Sequence, residues 1–208
     1  MKNLKLNTLL EIRTKKLRDL EFIELKPIQA LLLFLSQEPK GFSSYLKLHL
    51  AIFHVHDLVP YNFMVTPFMP YSSELENDIE QLRRLRLLEF RYRKYYSGRV
   101  CEIVVTNRGI EISNHLLNLV RKGSILLWSS LIVKGKDYVS RLRYMKRLLA
   151  ELPMRKLVMS YIVKFLFRSN EVIFKHDLSN LKKLALYEAL SVISADTSSD
   201  LYILIPSY

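Results

Sequence analysis

The stretch EFRYRKYYSGRVCEIVVT, residues 89–106, decides the fold predicted from the sequence. Two runs rich in aromatic and β-branched residues, Glu89–Tyr96 and Val100–Thr106, flank Ser97-Gly98, a dipeptide typical of tight turns. This pattern predicts a β-hairpin. Four positive charges and three tyrosines fall within residues 91–99, so we expect the tip of the hairpin to be strongly basic.

Helical patterns lie upstream of the hairpin. Leu75, Ile79 and Leu82 recur at four- and three-residue steps after Ser72, a favourable N-cap. They predict a helix over residues 72–86 with one buried stripe. Working further outward, apolar spacing, Pro27 and serine caps predict helices over 4–25, 28–36 and 43–56, and a short strand over 62–66.

Downstream of the hairpin, Thr106-Asn107-Arg108-Gly109 predicts the start of a helix that runs to about Lys122. The remainder reads as all-helical, with helices over 124–133, 137–150, 154–168 and 178–194, and a terminal strand or docked tail at Leu201–Pro206. The predicted fold class is mainly α with a small β-hairpin wing, a winged helix-turn-helix plus a helical C-terminal extension. We divide the chain into an amphipathic helix (1–26), the winged helix-turn-helix domain (27–123) and the extension (124–208).

The segment Met69–Ile79, MPYSSELENDI, resembles a motif of uncharacterised archaeal and other prokaryotic winged-helix proteins. In that family a helix ends Gly-Leu-Leu-Glu, and here Arg86 replaces the glycine in Leu85–Glu89. Val105–Gly109 and Leu152–Val158 are similar to two further family motifs, so the resemblance covers roughly residues 28–165. It implies a winged-helix fold and an association with antitoxins or mobile-element regulators.

The composition favours an anionic partner. Lys and Arg number 32 against 20 Asp and Glu, which gives a net charge of +12 and a pI near 9.7. One cysteine excludes a disulfide framework and a multi-thiolate zinc site. The first twenty residues show no signal-peptide pattern and the apolar runs are too short to span a bilayer, so we expect a cytoplasmic protein that does not bind membranes.

The hairpin supplies the first set of candidate nucleic-acid contacts. Arginine and lysine side chains bind phosphate, and tyrosine rings stack on sugars or unpaired bases. A charged edge that prevents aggregation is the alternative interpretation. The candidates are Arg91, Tyr92, Arg93, Lys94, Tyr95 and Arg99.

The predicted helix over 72–86 carries acidic residues in its first part and basic residues near its end. Glu74, Glu76, Asp78 and Glu80 lie in its first part, where phosphates would repel them, whereas arginines lie near its end. We expect this helix to approach DNA through its C-terminal part or to face a protein. Its candidate contacts are Ser72, Ser73, Asn77, Arg83 and Arg84.

A third basic region lies in the C-terminal part, where residues 121–183 hold 15 Lys and Arg against 4 Asp and Glu. A continuous positive surface would follow the phosphate backbone and bind with a steep salt dependence. Ordinary solvated helix faces are the alternative. The candidate contacts on the predicted 137–150 helix are Arg141, Arg143, Lys146 and Arg147.

The sequence lacks a complete constellation for catalysis. His49, His54 and His56 lack the four-residue spacing that places two metal ligands on one helix face. Arg108 and His115 resemble the Arg–His pair of helical toxin ribonucleases only weakly. We expect no catalytic residues, no metal and no cofactor.

These observations predict a DNA-binding winged-helix protein, most simply a transcription regulator of double-stranded DNA that forms a homodimer through flanking helices. The alternative is a protein-interaction module of antitoxin or mobile-element accessory type, with an acidic protein as one possible partner. A nuclease is the third possibility.

Overall fold

The N-terminal segment forms a β-hairpin where the sequence predicted an amphipathic helix over 4–25. The computed structural model describes residues 6, 9, 11–17, 20–65, 69–95, 98–127 and 131–168. Strands β1 (Arg13–Leu17) and β2 (Leu20–Glu24) pair antiparallel, and Ile23 of β2 pairs in parallel with Ile125. Over residues 13–24 the helix prediction is wrong because strand pairing, including the long-range pairing of β2, overrides the helical spacing of the leucines, whereas Leu6 and Leu9 are helical as predicted.

Two apolar helices form the centre of the core. α1 (Pro27–Leu35) begins with proline, which suits a first turn because that position needs no N–H donor, and the rest of the helix is buried. α2 (Tyr45–His54) begins after Ser44, whose Oγ accepts a hydrogen bond from the backbone N of Lys47 at 3.1 Å. The structure confirms both predicted helices.

A short hairpin and a third helix follow. β3 (Met64–Val65) pairs antiparallel with β4 (Pro70–Tyr71), and α3 spans Ser73–Arg84. The Oγ of Ser72 accepts a hydrogen bond from the backbone N of the third helical residue at 3.2 Å, which confirms the predicted cap. The predicted apolar stripe of α3 is fully buried, namely Leu75, Ile79 and Leu82.

Strands β5 (Leu88–Tyr95) and β6 (Gly98–Val105) form the predicted basic hairpin, with Tyr95 paired to Gly98. Phe42, in the loop between α1 and α2, forms an isolated antiparallel bridge with Ile103 of β6. Glycine at position 41 permits this approach, because a Cβ there would lie 2.4 Å from the Ile103 carbonyl oxygen. The hairpin is thereby attached to the core.

After the hairpin, α4 (Asn107–Lys122) begins at the predicted Thr106 cap. Strands β7 (Ser124–Leu127) and β8 (Leu131–Lys134) then pair antiparallel, so the helix predicted over 124–133 is wrong. The four residues of β7 alternate between buried and half-buried, the period-two pattern of a strand.

Two long helices complete the described part of the chain. α5 (Gly135–Glu151) and α6 (Met154–Arg168) confirm the predictions over 137–150 and 154–168. Both contribute fully buried apolar residues to the same core as α1 and α2. The segments 178–194 and 201–206, for which a helix and a terminal strand were predicted, lie outside the described residues.

The mainly α winged-helix fold class predicted from the sequence is wrong. Strands β1, β2, β7 and β8 form one mixed sheet in the order β1-β2-β7-β8, in which only the β2–β7 pair is parallel. Together with the six helices of the described residues, this sheet makes an α/β fold. The local order of helices and hairpin within residues 27–106 was predicted correctly, but the sheet joins segments on both sides of it.

Candidate nucleic-acid interface

Helix α3 ends in a tight reversal that leads directly into β5. The Leu87 N donates to the Leu82 carbonyl at 2.9 Å and the Arg86 N donates to the Arg83 carbonyl at 2.8 Å, the two hydrogen bonds of a Schellman motif. Arg86 has a φ of 58°, in the left-handed region that glycine usually occupies at this position. Three residues, 85–87, therefore connect α3 to β5, and Arg86 is the left-handed residue among them.

Thr106, which directly follows β6, stabilises this reversal through hydrogen bonds. Its Oγ1 donates to the Arg86 carbonyl at 2.7 Å and accepts from the Gly109 N at 3.1 Å. Its backbone N also donates to the Leu87 carbonyl at 3.0 Å. One side chain therefore caps α4 and fixes the end of α3.

Four exposed arginines lie in α3, the reversal and β5, and three of them are paired with carboxylates. Glu80 accepts from Arg83 Nη1 at 3.3 Å and from Arg84 Nε at 3.2 Å. Glu89 accepts from Arg91 Nε at 2.6 Å. Ion pairs between exposed groups contribute little stability, so these three guanidinium groups can exchange a carboxylate for a phosphate.

Aromatic rings support this basic surface. The Arg83 guanidinium carbon lies 5.0 Å from the centre of the Phe90 ring, and Phe90 in turn packs edge-on against Tyr45. Tyr92 lies two residues after Phe90, on the same face of β5, and its side chain is 72% exposed. An exposed tyrosine therefore lies on the face of β5 against which Arg83 packs, whereas Arg91 projects from the opposite face.

The remaining candidate contacts of the hairpin are Arg93, Lys94, Tyr95 and Arg99. Their backbone lies in β5 and β6, which confirms the predicted strands. Their side chains lie outside the described part of the structure. The hairpin contacts that the structure describes in full are Arg91 and Tyr92, both exposed.

Tyrosine hydroxyls donate to two carboxylates in the acidic first part of α3. Tyr61 Oη donates a 2.7 Å hydrogen bond to Asp78 Oδ2, and burial raises the pKa of Asp78 to about 6, against the lowering effect of that hydrogen bond. Tyr71 Oη donates to Glu76 Oε2 at 2.8 Å. Glu74 and Glu76 are both exposed, so the first turn of α3 presents two carboxylates at the surface.

Two candidate contacts are corrected by the structure because they are buried. Ser72 is 2% exposed and its Oγ caps α3. Lys146 is 1% exposed, and its Nζ donates to the Lys40 carbonyl at 2.7 Å. The sequence did not separate Lys146 from its neighbours because its role depends on a distant loop. The candidates that remain at the surface of α3 and α5 are Ser73, Asn77, Arg83, Arg84, Arg141, Arg143 and Arg147.

Sequence reasoning missed Arg86 and the supporting pair Tyr45 and Phe90. A signal for Arg86 was present, because it stands where the similar winged-helix motif has glycine. Its positive φ explains why glycine suits that position. The Tyr45–Phe90 contact joins α2 to β5, and nothing in the local sequence indicates it.

The residues considered for metal binding or catalysis do not converge. Within the described ranges, no three His, Cys, Asp or Glu side chains are grouped so that they could hold a metal ion. Arg108 and His115 are both exposed on α4, but they are two helical turns apart, about 10 Å along the axis. None of the helices in the described part of the chain combines the length and the apolarity needed to cross a bilayer.

Comparisons with known proteins add no family to this description. No protein-family model, no curated protein and no solved structure matches the chain. The resemblance of residues 69–79 to winged-helix proteins stays a prediction, and function is inferred from the side chains described above.

Proposed function

We propose that the chain binds duplex DNA through the end of α3 and the β5–β6 hairpin, and that it acts as a transcription regulator. The observation that carries this proposal is the set of exposed arginines Arg83, Arg84 and Arg86 at the end of α3, with the exposed ring of Tyr92 on the Phe90 face of β5 and exposed Arg91 on the opposite face. Guanidinium groups bind phosphate in two-bond geometry. The net charge of +12 adds long-range attraction to a polyanion.

The charge distribution along α3 sets the proposed orientation. Its first turn carries the exposed carboxylates Glu74 and Glu76, whereas Arg83 and Arg84 occupy its last turn. Phosphates repel the first turn and attract the last. We therefore expect the C-terminal end of α3 and the hairpin to meet the DNA backbone, with the first turn directed away from it.

Helix α5 supplies a second basic surface that is attached to the hairpin. Arg143 and Arg147 are exposed and one helical turn apart, and Arg147 Nε lies 3.9 Å from Glu38 in the loop that precedes Phe42. Phe42 contacts Lys146 of α5 through its ring and Ile103 of β6 through its backbone. This buried connection fixes α5 relative to the hairpin, and the exposed Arg143 and Arg147 support a second phosphate-binding region on α5.

Duplex binding across a salt series tests the proposal. A labelled random-sequence duplex is titrated with wild type and with Arg84→Gln/Arg91→Gln. The titration is repeated at several NaCl concentrations between about 50 and about 200 mM, a roughly fourfold range. We expect wild type to bind with a steep negative slope of log affinity against log salt. Loss of two phosphate contacts should reduce the magnitude of that slope by about 1.8.

A matched control removes two charges elsewhere. Arg121 and Lys122 are exposed in the last turn of α4, about 24 Å along that helix from Thr106. Arg121→Gln/Lys122→Gln should leave the salt slope unchanged. Absence of wild-type binding at the lowest salt, or an equal effect of the control, would overturn the proposed interface.

A protein-interaction module is the second candidate, and the exposed carboxylates of α3 favour it. Phosphates repel Glu74 and Glu76, whereas a basic protein surface would attract them. Under this hypothesis, Glu74→Gln/Glu76→Gln weakens partner binding in a co-purification experiment and Arg84→Gln/Arg91→Gln does not. The opposite pattern supports DNA binding.

A further inference from the structure

Arg86 differs from its neighbours because no carboxylate of the described residues pairs with its guanidinium. Arg83 and Arg84 share Glu80, and Arg91 is held by Glu89. Arg86 is exposed, and among the described residues its guanidinium forms neither an ion pair nor a hydrogen bond. A phosphate that approaches this surface therefore meets one arginine that does not have to leave a carboxylate first.

The backbone of Arg86 is held in an unfavourable conformation. Its φ of 58° places the Cβ close to the following carbonyl oxygen, a clash that glycine avoids. The reversal itself does not need a side chain, because both Schellman hydrogen bonds use backbone atoms. An arginine at this position loses stability relative to glycine, and the loss requires a compensating use of the side chain.

Stabilisation of the C-terminal end of α3 does not explain the arginine at position 86. Cations in the last turn interact favourably with the helix dipole, but Arg83 and Arg84 already occupy that turn. Packing does not explain it either, because the side chain of Arg86 is exposed. What remains is contact with something outside the chain.

We propose that Arg86 is the leading phosphate-contacting residue of this surface, an inference that rests on the proposed DNA binding. Thr106 Oγ1 donates to the Arg86 carbonyl at 2.7 Å, and the Schellman hydrogen bonds fix the backbone N of Arg86 and of Leu87. The guanidinium is thus attached to a backbone that is already ordered. Less conformational freedom is lost when it binds, which strengthens the contact.

The test separates charge from backbone conformation with Arg86→Gly and Arg86→Lys. Arg86→Gly relieves the left-handed strain and removes the charge, so its melting temperature should rise by about 2 °C. Its salt slope on the random duplex should lose about 0.9, so that lowering salt from 200 to 50 mM strengthens its binding about 3.5-fold less than that of wild type. Arg86→Lys retains a charge and should keep most of the slope.

The outcomes distinguish this inference from the proposed function. If wild type binds duplex with a steep slope and Arg86→Gly binds identically, the role of Arg86 is overturned and DNA binding stands. If Arg86→Lys loses as much of the slope as Arg86→Gly, charge is not the reason and the role is again overturned. If wild type does not bind, the proposed function fails, and the assignment of Arg86 as a phosphate contact fails with it. A more stable, more weakly binding Arg86→Gly supports the inference.

Discussion

The ammonium group of Lys146 lies 3.9 Å from the centre of the Phe42 ring, inside the molecule. Its Nζ also donates to the Lys40 carbonyl at 2.7 Å. A second buried lysine, Lys47, donates in the reverse direction, from α2 to the Ala150 carbonyl near the end of α5 at 2.9 Å. The two lysines connect α5 and the α2 region at two points.

Replacing Lys146 with methionine should remove a pH dependence of stability. Burial, with Lys47 nearby, lowers the pKa of Lys146 to about 7, although Glu38 and Glu102 oppose the shift. Between pH 7 and 10 the unfolded chain binds the proton that the folded chain loses, so wild type gains stability as pH rises.

Urea unfolding at pH 7 and pH 9 measures this effect. We expect the free energy of unfolding of wild type to rise by about 1–2 kcal/mol more than that of Lys146→Met. Lys136→Met, at an exposed position of the same helix, should behave as wild type. Parallel pH profiles for wild type and Lys146→Met would contradict the burial of a neutral amine.

Asp78 should show the opposite linkage. Its pKa is raised to about 6 when folded, so its contribution to stability is fully present near pH 4 and is lost as pH rises through 6. Asp78→Asn removes the buried charge and keeps an acceptor for the Tyr61 hydroxyl. At pH 8 we expect Asp78→Asn to be more stable than wild type by about 1–2 kcal/mol, an amount reduced for partial exposure.

The comparison is made by chemical denaturation at pH 4 and pH 8. The stability difference between Asp78→Asn and wild type should shrink at pH 4, where both side chains are neutral. Glu111→Gln, at an exposed position of α4, serves as the control and should change little, because Glu111 is not among the groups that shift the pKa of Asp78. A difference that is equal at the two pH values would show that Asp78 is not destabilised when ionised.

Short-range signals account for what the sequence predicted correctly. Pro27, Ser44, Ser72 and Thr106 each begin a helix, and each acts on backbone groups within four residues of itself. The Ser97-Gly98 turn signal likewise predicts β5 and β6 locally. Helices α1 to α4 and the hairpin were therefore predictable one segment at a time.

The four-stranded sheet was not predictable in that way. Ile23 and Ile125 are paired across most of the described chain, and neither segment alternates clearly enough to indicate a strand. The burial of Lys146 was not predictable for the same reason, since it depends on Phe42, more than a hundred residues earlier. In the candidate site, the pairing of Glu80 with Arg83 and Arg84 follows from their three- and four-residue spacing on one helix. The contacts of Phe90 with Arg83 and Tyr45 join separate elements and were not predictable locally.

Thr106 offers a test of the reversal beside Arg86. Thr106→Val keeps the shape of the side chain and removes both hydrogen bonds of Oγ1, to the Arg86 carbonyl and from the Gly109 N. We expect a loss of about 1–2 kcal/mol in the free energy of unfolding. Thr106→Ser retains the hydroxyl and should lose much less. A Thr106→Val variant as stable as wild type would show that the hydroxyl hydrogen bonds do not stabilise the reversal.

A substitution at Gly135 tests the packing of α5 against α4, directly after the β7 and β8 strands that were not predicted. A Cβ at this position would lie 1.7 Å from the Val120 carbonyl oxygen and 2.8 Å from that of Gly123, because the start of α5 packs against the end of α4. Backbone atoms cannot move aside as a side-chain tip does, so Gly135→Ala should lower the free energy of unfolding by about 2–3 kcal/mol.

At Gly123 the nearest atom is Ile23 Cδ1, at 2.9 Å, the tip of a flexible side chain. Gly123→Ala should therefore be the milder variant in the same denaturation experiment. Equal stability of wild type and Gly135→Ala would mean that α5 does not begin against the end of α4.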